Sequence, residues 1–112
     1  MRAYELMVIY DGGLDESDAR AKDREVAGWI SARGGHVIGR PDWWGKRRFA
    51  YELRHRWEGY YVLLEFTAGV EVEEELHRML SLADEVIRHK VIRIPEAALK
   101  ARATPAAAPA EA

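Results

Sequence analysis

Two kinds of hydrophobic spacing alternate along the 112-residue chain, and their order limits the possible folds. Residues 3–10 and 60–67 are short, apolar and rich in β-branched and aromatic side chains, which predicts strands. Residues 70–83 instead carry apolar side chains at helical spacing, which predicts a helix packed along one stripe. The members of that stripe are Val72, Leu76, Met79 and Leu80.

A second helix is predicted over residues 15–33. Asp15 or Ser17 is suited to cap its N-terminus, and Gly34 and Gly35 end it where the chain must turn left-handed. The expected buried stripe, with Trp29 at its flank, is Ala19, Val26, Ala27 and Ile30.

Two further strands complete the pattern. Glycines and a proline interrupt residues 36–53, which predicts a bent or bulged strand, followed by a turn near residues 57–59. The last strand is expected over residues 86–94, ended by Pro95. One register puts Arg88 and Lys90 on an exposed face and His89 toward the helices, and the opposite register stays open. Alternation along the strand would place Ile87, His89 and Val91 on one face and Arg88, Lys90, Ile92 and Ile94 on the other.

The resulting order β-α-β-β-α-β predicts an α+β fold of the ferredoxin-like, split βαβ type. We expect a four-stranded antiparallel sheet with both helices on one face and the other face open. Residues 1–95 would form this single domain. Residues 96–112 are rich in alanine and proline and are expected to be a disordered C-terminal tail.

Composition excludes several function classes. The absence of cysteine excludes disulfides, thiolate metal sites and cysteine nucleophiles, and it fits a reducing cytoplasm. No signal peptide or membrane-spanning run is evident. The net charge of −2 hides a polarised distribution. Six Lys and Arg residues lie between Arg40 and Arg56, whereas residues 70–75 carry four glutamates and no base.

Residues 45–54 carry the most specific chemistry, because three consecutive cations lie beside aromatic and aliphatic positions of a strand. Arginine binds phosphate and stacks on bases, and Tyr or Phe can support an unstacked base. The alternative interpretation is an edge strand that its charges protect against aggregation. Three tryptophans near the turns are expected to cover the end of the sheet or a partner, with base stacking as the alternative: Trp43, Trp44 and Trp57.

No catalytic or metal-binding pattern is evident. The four histidines lack ligand spacing on a single helix, and no nucleophile with a base and an orienting acid stands out. We therefore expect no metal, no cofactor and no small-molecule substrate. Two competing hypotheses remain for this topology: a small dimeric oxygenase or isomerase, and a ligand-sensing regulatory module.

The segment from Gly45 to Leu53 resembles the signature of the bacterial small-subunit ribosomal protein S-six family. Gly45, Arg47, Ala50 and Tyr51 match it, while Phe49 and Leu53 stand where that family has Leu and Ile. The opening residues 1–5, the helix entry at Leu14 and Asp15, Gly59 to Tyr61, and residues 84–89 are also similar. The resemblance therefore runs in order from residue 1 to about residue 95.

This resemblance implies a non-enzymatic, cytoplasmic component of the small ribosomal subunit. It implies binding to the central domain of small-subunit ribosomal RNA beside ribosomal protein S-eighteen. The predicted RNA-binding residues are Arg2, Lys46, Arg47, Arg48, Tyr51, Arg88 and Lys90. The predicted partner-binding residues are Tyr61, Leu63 and Ile92.

Overall fold

Six elements of secondary structure account for most of residues 1–95, which are the residues that the structure, a computed structural model, describes. The predicted C-terminal tail lies outside them. The elements follow the predicted order β-α-β-β-α-β. They are β1 (Arg2–Asp11), α1 (Glu16–Ala32), β2 (His36–Leu53), β3 (Arg56–Ala68), α2 (Val70–Leu82) and β4 (Val86–Arg93).

The four strands form one antiparallel sheet in the order β2-β3-β1-β4. The two strands at its centre, β1 and β3, pair along their whole shared length, from Arg2 opposite Ala68 to Asp11 opposite Gly59. β4 pairs with the other side of β1, which leaves β2 and β4 as the edges. This is the predicted ferredoxin-like sheet.

The main core lies between the sheet and the two helices. Alternate residues of the central strands face the helices and are almost fully buried, for example Leu6, Leu64 and Phe66. Leu76 and Leu80 of α2 pack into the same cluster. The predicted helical stripe is therefore confirmed. Neither helix is long and apolar enough to cross a membrane.

The first helix differs from its predicted pattern at two positions. Asp15 occupies the N-cap, but its side chain makes no capping hydrogen bond. Ala27 is only half-buried, and Asp23 joins the buried residues instead. Asp23 is tolerated there because its carboxylate accepts a hydrogen bond of 2.9 Å from the hydroxyl of Tyr10. The helix ends as predicted before Gly34, whose φ of +85° suits glycine.

The turn between β2 and β3 was predicted near residues 57–59, and this prediction was wrong. The strands instead pair as far as Leu53 opposite Arg56, and the turn consists of Arg54 and His55. Both turn residues have positive φ, 49° and 64°. Two positive φ angles characterise the turn that best suits a twisted hairpin, but Asn-Gly is its usual sequence. The pair Arg54 and His55 therefore did not indicate a hairpin turn in the sequence.

The last strand shows an irregularity that alternation could not reveal. Its register against β1 shifts between Ile9 and Tyr10, so Val86 packs on the helix side and Ile87 on the open side. Ile87 therefore does not share a face with His89 as predicted. From Arg88 onward, the strand has the first of the two predicted registers: Arg88 and Lys90 lie on the open face, and His89 faces the helices.

Candidate nucleic-acid interface

The face of the sheet that the helices leave uncovered collects side chains from three strands. Ile9 lies opposite Tyr61 on β3 and opposite Arg88 on β4. Met7 lies opposite Lys90. Since residues directly opposite each other in an antiparallel pair share a face, Arg88 and Lys90 lie on the same face as the Tyr61 ring.

One end of this open face is closed by the β2–β3 hairpin, which extends beyond the end of β1. Phe49 of the hairpin packs with Ile9 and Ile87 into a second, smaller buried cluster. Gly59 permits this contact. A Cβ there would lie 2.6 Å from the Ile9 side chain and 3.0 Å from the Phe49 ring. A larger residue at this position would push the hairpin away from the sheet.

A concavity of about 390 Å³ lies between the hairpin and the open face. Its wall combines apolar, aromatic and cationic side chains and includes no carboxylate. Five of the ten predicted site residues line it, so the fold brings together residues from positions 48 to 90 of the chain. These five are Arg48, Tyr51, Tyr61, Arg88 and Lys90.

The cations of the concavity are not neutralised by the domain itself. Arg88 and Lys90 are exposed, and neither has an ion-pair partner within residues 1–95. The guanidinium of Arg48 lies 5.8 Å from the centre of the Trp57 ring. Three positive charges therefore border one surface depression, which is an arrangement that attracts an anionic partner.

Aromatic rings extend this surface along the open face. Trp44 stacks on Tyr61 with ring centres 6.1 Å apart and planes 7° apart, and Phe49 meets Tyr61 edge-on at 6.2 Å. The Tyr51 ring is 63% exposed. Trp44 was expected to cover the end of the sheet or a partner, with base stacking as the alternative. Its place on the open face depends on the register shift between Trp43 and Gly45, which the sequence does not reveal.

Two contacts fix the hairpin over the sheet. Arg56 donates a hydrogen bond of 3.0 Å from Nε to the Asp11 carboxylate, and Arg54 donates one of 3.2 Å to the Val86 carbonyl. Partial burial raises the pKa of Asp11, but the Gly13 backbone N–H and Arg56 outweigh it and hold that pKa below its usual value. The concavity is therefore preformed.

Lys46 lies away from the concavity, although it belongs to the same run of three cations. It is opposite Tyr60, whose side chain is buried on the helix side. Its ammonium lies 5.3 Å from the centre of the Tyr60 ring and 3.9 Å from the Glu58 carboxylate. Its charge is therefore partly compensated.

Two other predicted cations also lie outside the concavity. Arg2 is exposed at the start of β1, opposite Ala68, and so at the end of the sheet remote from the hairpin. Arg47 is exposed opposite Gly59, where the hairpin begins to extend beyond the end of β1. Within the described residues, neither has an ion-pair partner.

The residues predicted to bind a partner protein lie on the same open face as the RNA-binding set. Leu63 is half-buried next to Tyr61 along that face of β3, and Ile92 is 47% exposed on β4. Tyr61 also lines the concavity. The predicted partner-binding surface and the concavity therefore adjoin each other and have Tyr61 in common.

No described segment of the chain brings together three or more His, Cys, Asp or Glu side chains in a way that could hold a metal ion. The concavity itself has no histidine or carboxylate in its wall. A wall of apolar, aromatic and cationic side chains is suited to binding an anionic partner.

Comparison with protein families gives a match to the model of Ribosomal protein S6 over residues 3–93. The chain is similar to the small ribosomal subunit protein bS6 of Carboxydothermus hydrogenoformans, with 44% identity over 93 residues, 83% of this chain and 96% of that protein. It is also similar to the protein of the same name from Alkaliphilus metalliredigens, with 42% identity over 86% of this chain and all of that protein.

The fold agrees with these sequence matches. The structure is similar to the crystal structure of 30S ribosomal protein S6 from Thermotoga maritima, with a TM-score of 0.81 and 27% identity. The match covers 91% of this chain and 95% of that one. The relatives are named as ribosomal proteins and not as enzymes, which agrees with the prediction that the chain is not an enzyme. The chain belongs to the ribosomal protein S6 family.

Proposed function

We propose that this protein is a structural constituent of the small ribosomal subunit in the cytoplasm. It binds the central domain of small-subunit ribosomal RNA together with ribosomal protein S-eighteen. The observation that carries the RNA contact is the concavity on the open face, where three cations with no carboxylate among them border exposed aromatic rings. Family membership supports the assignment to the small subunit.

The cations at the concavity contact the phosphate backbone. Each phosphate contact releases counterions, so binding weakens as salt is added. Arg88 and Lys90 are available for this role because neither forms an ion pair with a described carboxylate. Tyr51 offers a ring face to an unstacked base. Arg2 and Arg47 extend the cationic surface beyond the concavity, and Lys46 contributes less because Glu58 lies near it.

Ribosomal protein S-eighteen covers the apolar part of the same face. Tyr61, Leu63 and Ile92 expose aromatic and aliphatic surface there without belonging to the main core. Burial of such surface against a second protein is favourable, and a cationic rim beside it keeps the joint surface able to bind RNA. RNA and partner protein therefore bind at adjoining sites and favour each other.

The enzyme hypothesis and the ligand-sensor hypothesis receive no comparable support. The concavity is open to solvent beside the exposed Tyr51 ring and has no histidine or carboxylate in its wall. Both competing hypotheses also predict saturable binding of a small molecule, which offers a direct way to separate them from RNA binding.

Co-sedimentation with small ribosomal subunits in a high-salt sucrose gradient tests the assignment to that particle. The double variant R88A/K90A tests the surface, because it removes two uncompensated cations from the concavity without touching the core. We expect its affinity for a complex of central-domain RNA and S-eighteen to fall and the log–log salt slope to decrease by roughly two units.

The matched control is Arg78→Ala. Arg78 is an exposed cation on α2 with no ion-pair partner in the described part of the chain. It should leave the affinity and the slope unchanged. Equal losses in the R78A and R88A/K90A proteins would contradict an RNA site on the open face.

A further inference from the structure

The imidazoles of His77 and His89 form a pair that the RNA-binding function does not use. His77 lies on α2 and His89 on β4, on the helix side of the sheet, away from the concavity. His77 Nδ1 and His89 Nε2 are 2.9 Å apart, and the ring planes are inclined at 63°. Two nitrogen ligands from different elements are therefore held within reach of a single ion.

Both backbone positions are fixed by neighbouring structure. His77 follows Leu76, which is completely buried, and His89 lies opposite Val8 in the β1–β4 ladder. His77 is exposed and His89 is half-buried, so water and ions reach the pair. A chelating pair that is already in place loses little conformational freedom when it binds.

The nitrogen separation of the metal-free pair already matches one coordination geometry. With metal–nitrogen bonds of about 2.0–2.1 Å, nitrogens 2.9 Å apart subtend an angle of about 90° at the metal. Square-planar and tetragonal ions such as Cu²⁺ and Ni²⁺ require this angle between neighbouring ligands. A tetrahedral ion such as Zn²⁺ needs the two nitrogens about 3.3 Å apart at the same bond length.

The proton balance also permits chelation by the neutral pair. In the neutral pair one ring donates its N–H to the other. When a metal enters, the donor ring returns that proton to solvent and takes one up on its second nitrogen, so no net proton is released. Both nitrogens can then offer a lone pair to the metal.

We propose that His77 and His89 form a two-histidine site for a divalent ion of tetragonal geometry, with Cu²⁺ bound most tightly. Water completes the coordination sphere, because no third His, Cys, Asp or Glu of residues 1–95 converges on the pair. The ion links α2 to the edge strand β4. Since the pair exists only when these elements pack together, the bound ion stabilises the folded state.

The test uses the full-length chain, freed of metal with a chelator and then titrated with Cu²⁺ at neutral pH. We expect one equivalent to bind, a copper–nitrogen absorption band to appear, and the melting temperature to rise. His77→Gln and His89→Gln should each weaken binding at least about tenfold and abolish the rise in melting temperature. Zn²⁺ should bind more weakly than Cu²⁺ to the unmodified chain.

The matched control is the double variant H36Q/H55Q, which removes the two other histidines and should bind Cu²⁺ as the unmodified chain does. His77 is exposed, so its replacement leaves the core intact, and melting without metal verifies the fold of every variant. Copper binding that survives in the H77Q protein, or that disappears in the H36Q/H55Q protein, would overturn the proposal. Neither result bears on RNA binding at the open face.

Discussion

At the scale of single residues, the hydrogen bond between Tyr10 and Asp23 is the least expected feature of the core. Burial is the main cause that raises the pKa of Asp23 above its usual value, while the Tyr10 hydroxyl, Arg20 and Arg24 oppose it. Burial and the charge of Asp23 also raise the pKa of Tyr10. The predicted buried stripe of this helix did not include Asp23, and a carboxylate is rarely buried.

This buried carboxyl makes stability depend on pH. The folded state holds the Asp23 proton up to a higher pH than the unfolded state does. The contribution of Asp23 is therefore fully present below the unfolded pKa near 3.8 and is lost as pH rises through the higher folded pKa. Asp23→Asn removes this titration but keeps an oxygen that accepts the Tyr10 hydrogen bond.

We therefore expect the D23N protein to gain free energy of unfolding relative to the parent as pH rises from about 4 to neutral. Urea denaturation at several pH values measures this difference. Asp18→Asn, an exposed change on the same helix, is the control and should follow the parent closely. A constant difference between the D23N and parent curves would mean that Asp23 does not titrate abnormally in the folded protein.

The two-residue turn of the β2–β3 hairpin offers a second test. His55 has φ of 64°, a left-handed conformation that costs a non-glycine residue about 1 kcal/mol. His55→Gly should relieve this cost and raise the free energy of unfolding by up to about 1 kcal/mol. Thermal and urea unfolding provide the measurement. Destabilisation by His55→Gly would show that this turn has a different backbone conformation.

At the scale of elements, α2 packs through a narrow stripe. Leu76 is completely buried between the sheet and the helices, and Glu74 is exposed on the outward side. Leu76→Ala should lower the free energy of unfolding by about 2–5 kcal/mol, because it removes buried methyl groups and leaves a cavity. Glu74→Ala should change it by less than about 0.5 kcal/mol. Equal urea midpoints for the two variants would contradict the packing of this helix.

The elements that the sequence predicted well are those with a single dominant spacing. β1, β3 and α2 each place apolar residues on one face, so burial alone fixes their type and register. The observed bounds of β1 and α2 agree with the predicted ones to within one residue, whereas β3 begins four residues earlier than predicted. The resemblance to the S-six family identified the family to which the fold is related. The order of the elements was predicted without it.

The elements that were predicted poorly depend on contacts between distant parts of the chain. The bulge at Ile87 exists because that residue packs with Ile9 and Phe49, which alternation within one strand cannot indicate. The hairpin turn at Arg54 and His55 is supported by the Arg54 hydrogen bond to Val86, 32 residues away. Such contacts override local preference, and a single sequence does not display them.

At the scale of the whole molecule, the distribution of charge matters more than the net charge of −2. The glutamates of α2 lie on the helix side, whereas uncompensated cations border the open face. This separation lets an acidic protein present a cationic surface, which suits the proposed contact with RNA. The cationic segment was predicted as one unit, but the structure divides it, because only Arg48 of its three consecutive cations lines the concavity.

That division yields the sharpest test of the interface, because Lys46 and Arg48 are only two residues apart. Arg48 lines the concavity, whereas Lys46 lies over Tyr60 near Glu58. Arg48→Ala should therefore weaken binding to the complex of RNA and S-eighteen and reduce the log–log salt slope by roughly one unit. Lys46→Ala should leave that slope nearly unchanged, since its charge is already partly neutralised.

Both slopes are measured by titrating the same RNA–partner complex at several salt concentrations, with Arg78→Ala on α2 as the reference for a cation outside the site. The two variants differ in the place of the lost charge and not in its size, so general loss of positive charge cannot explain a difference between them. Equal decreases for Lys46→Ala and Arg48→Ala would mean that RNA follows the exposed edge of β2. In that case only the partner protein would bind at the open-face concavity.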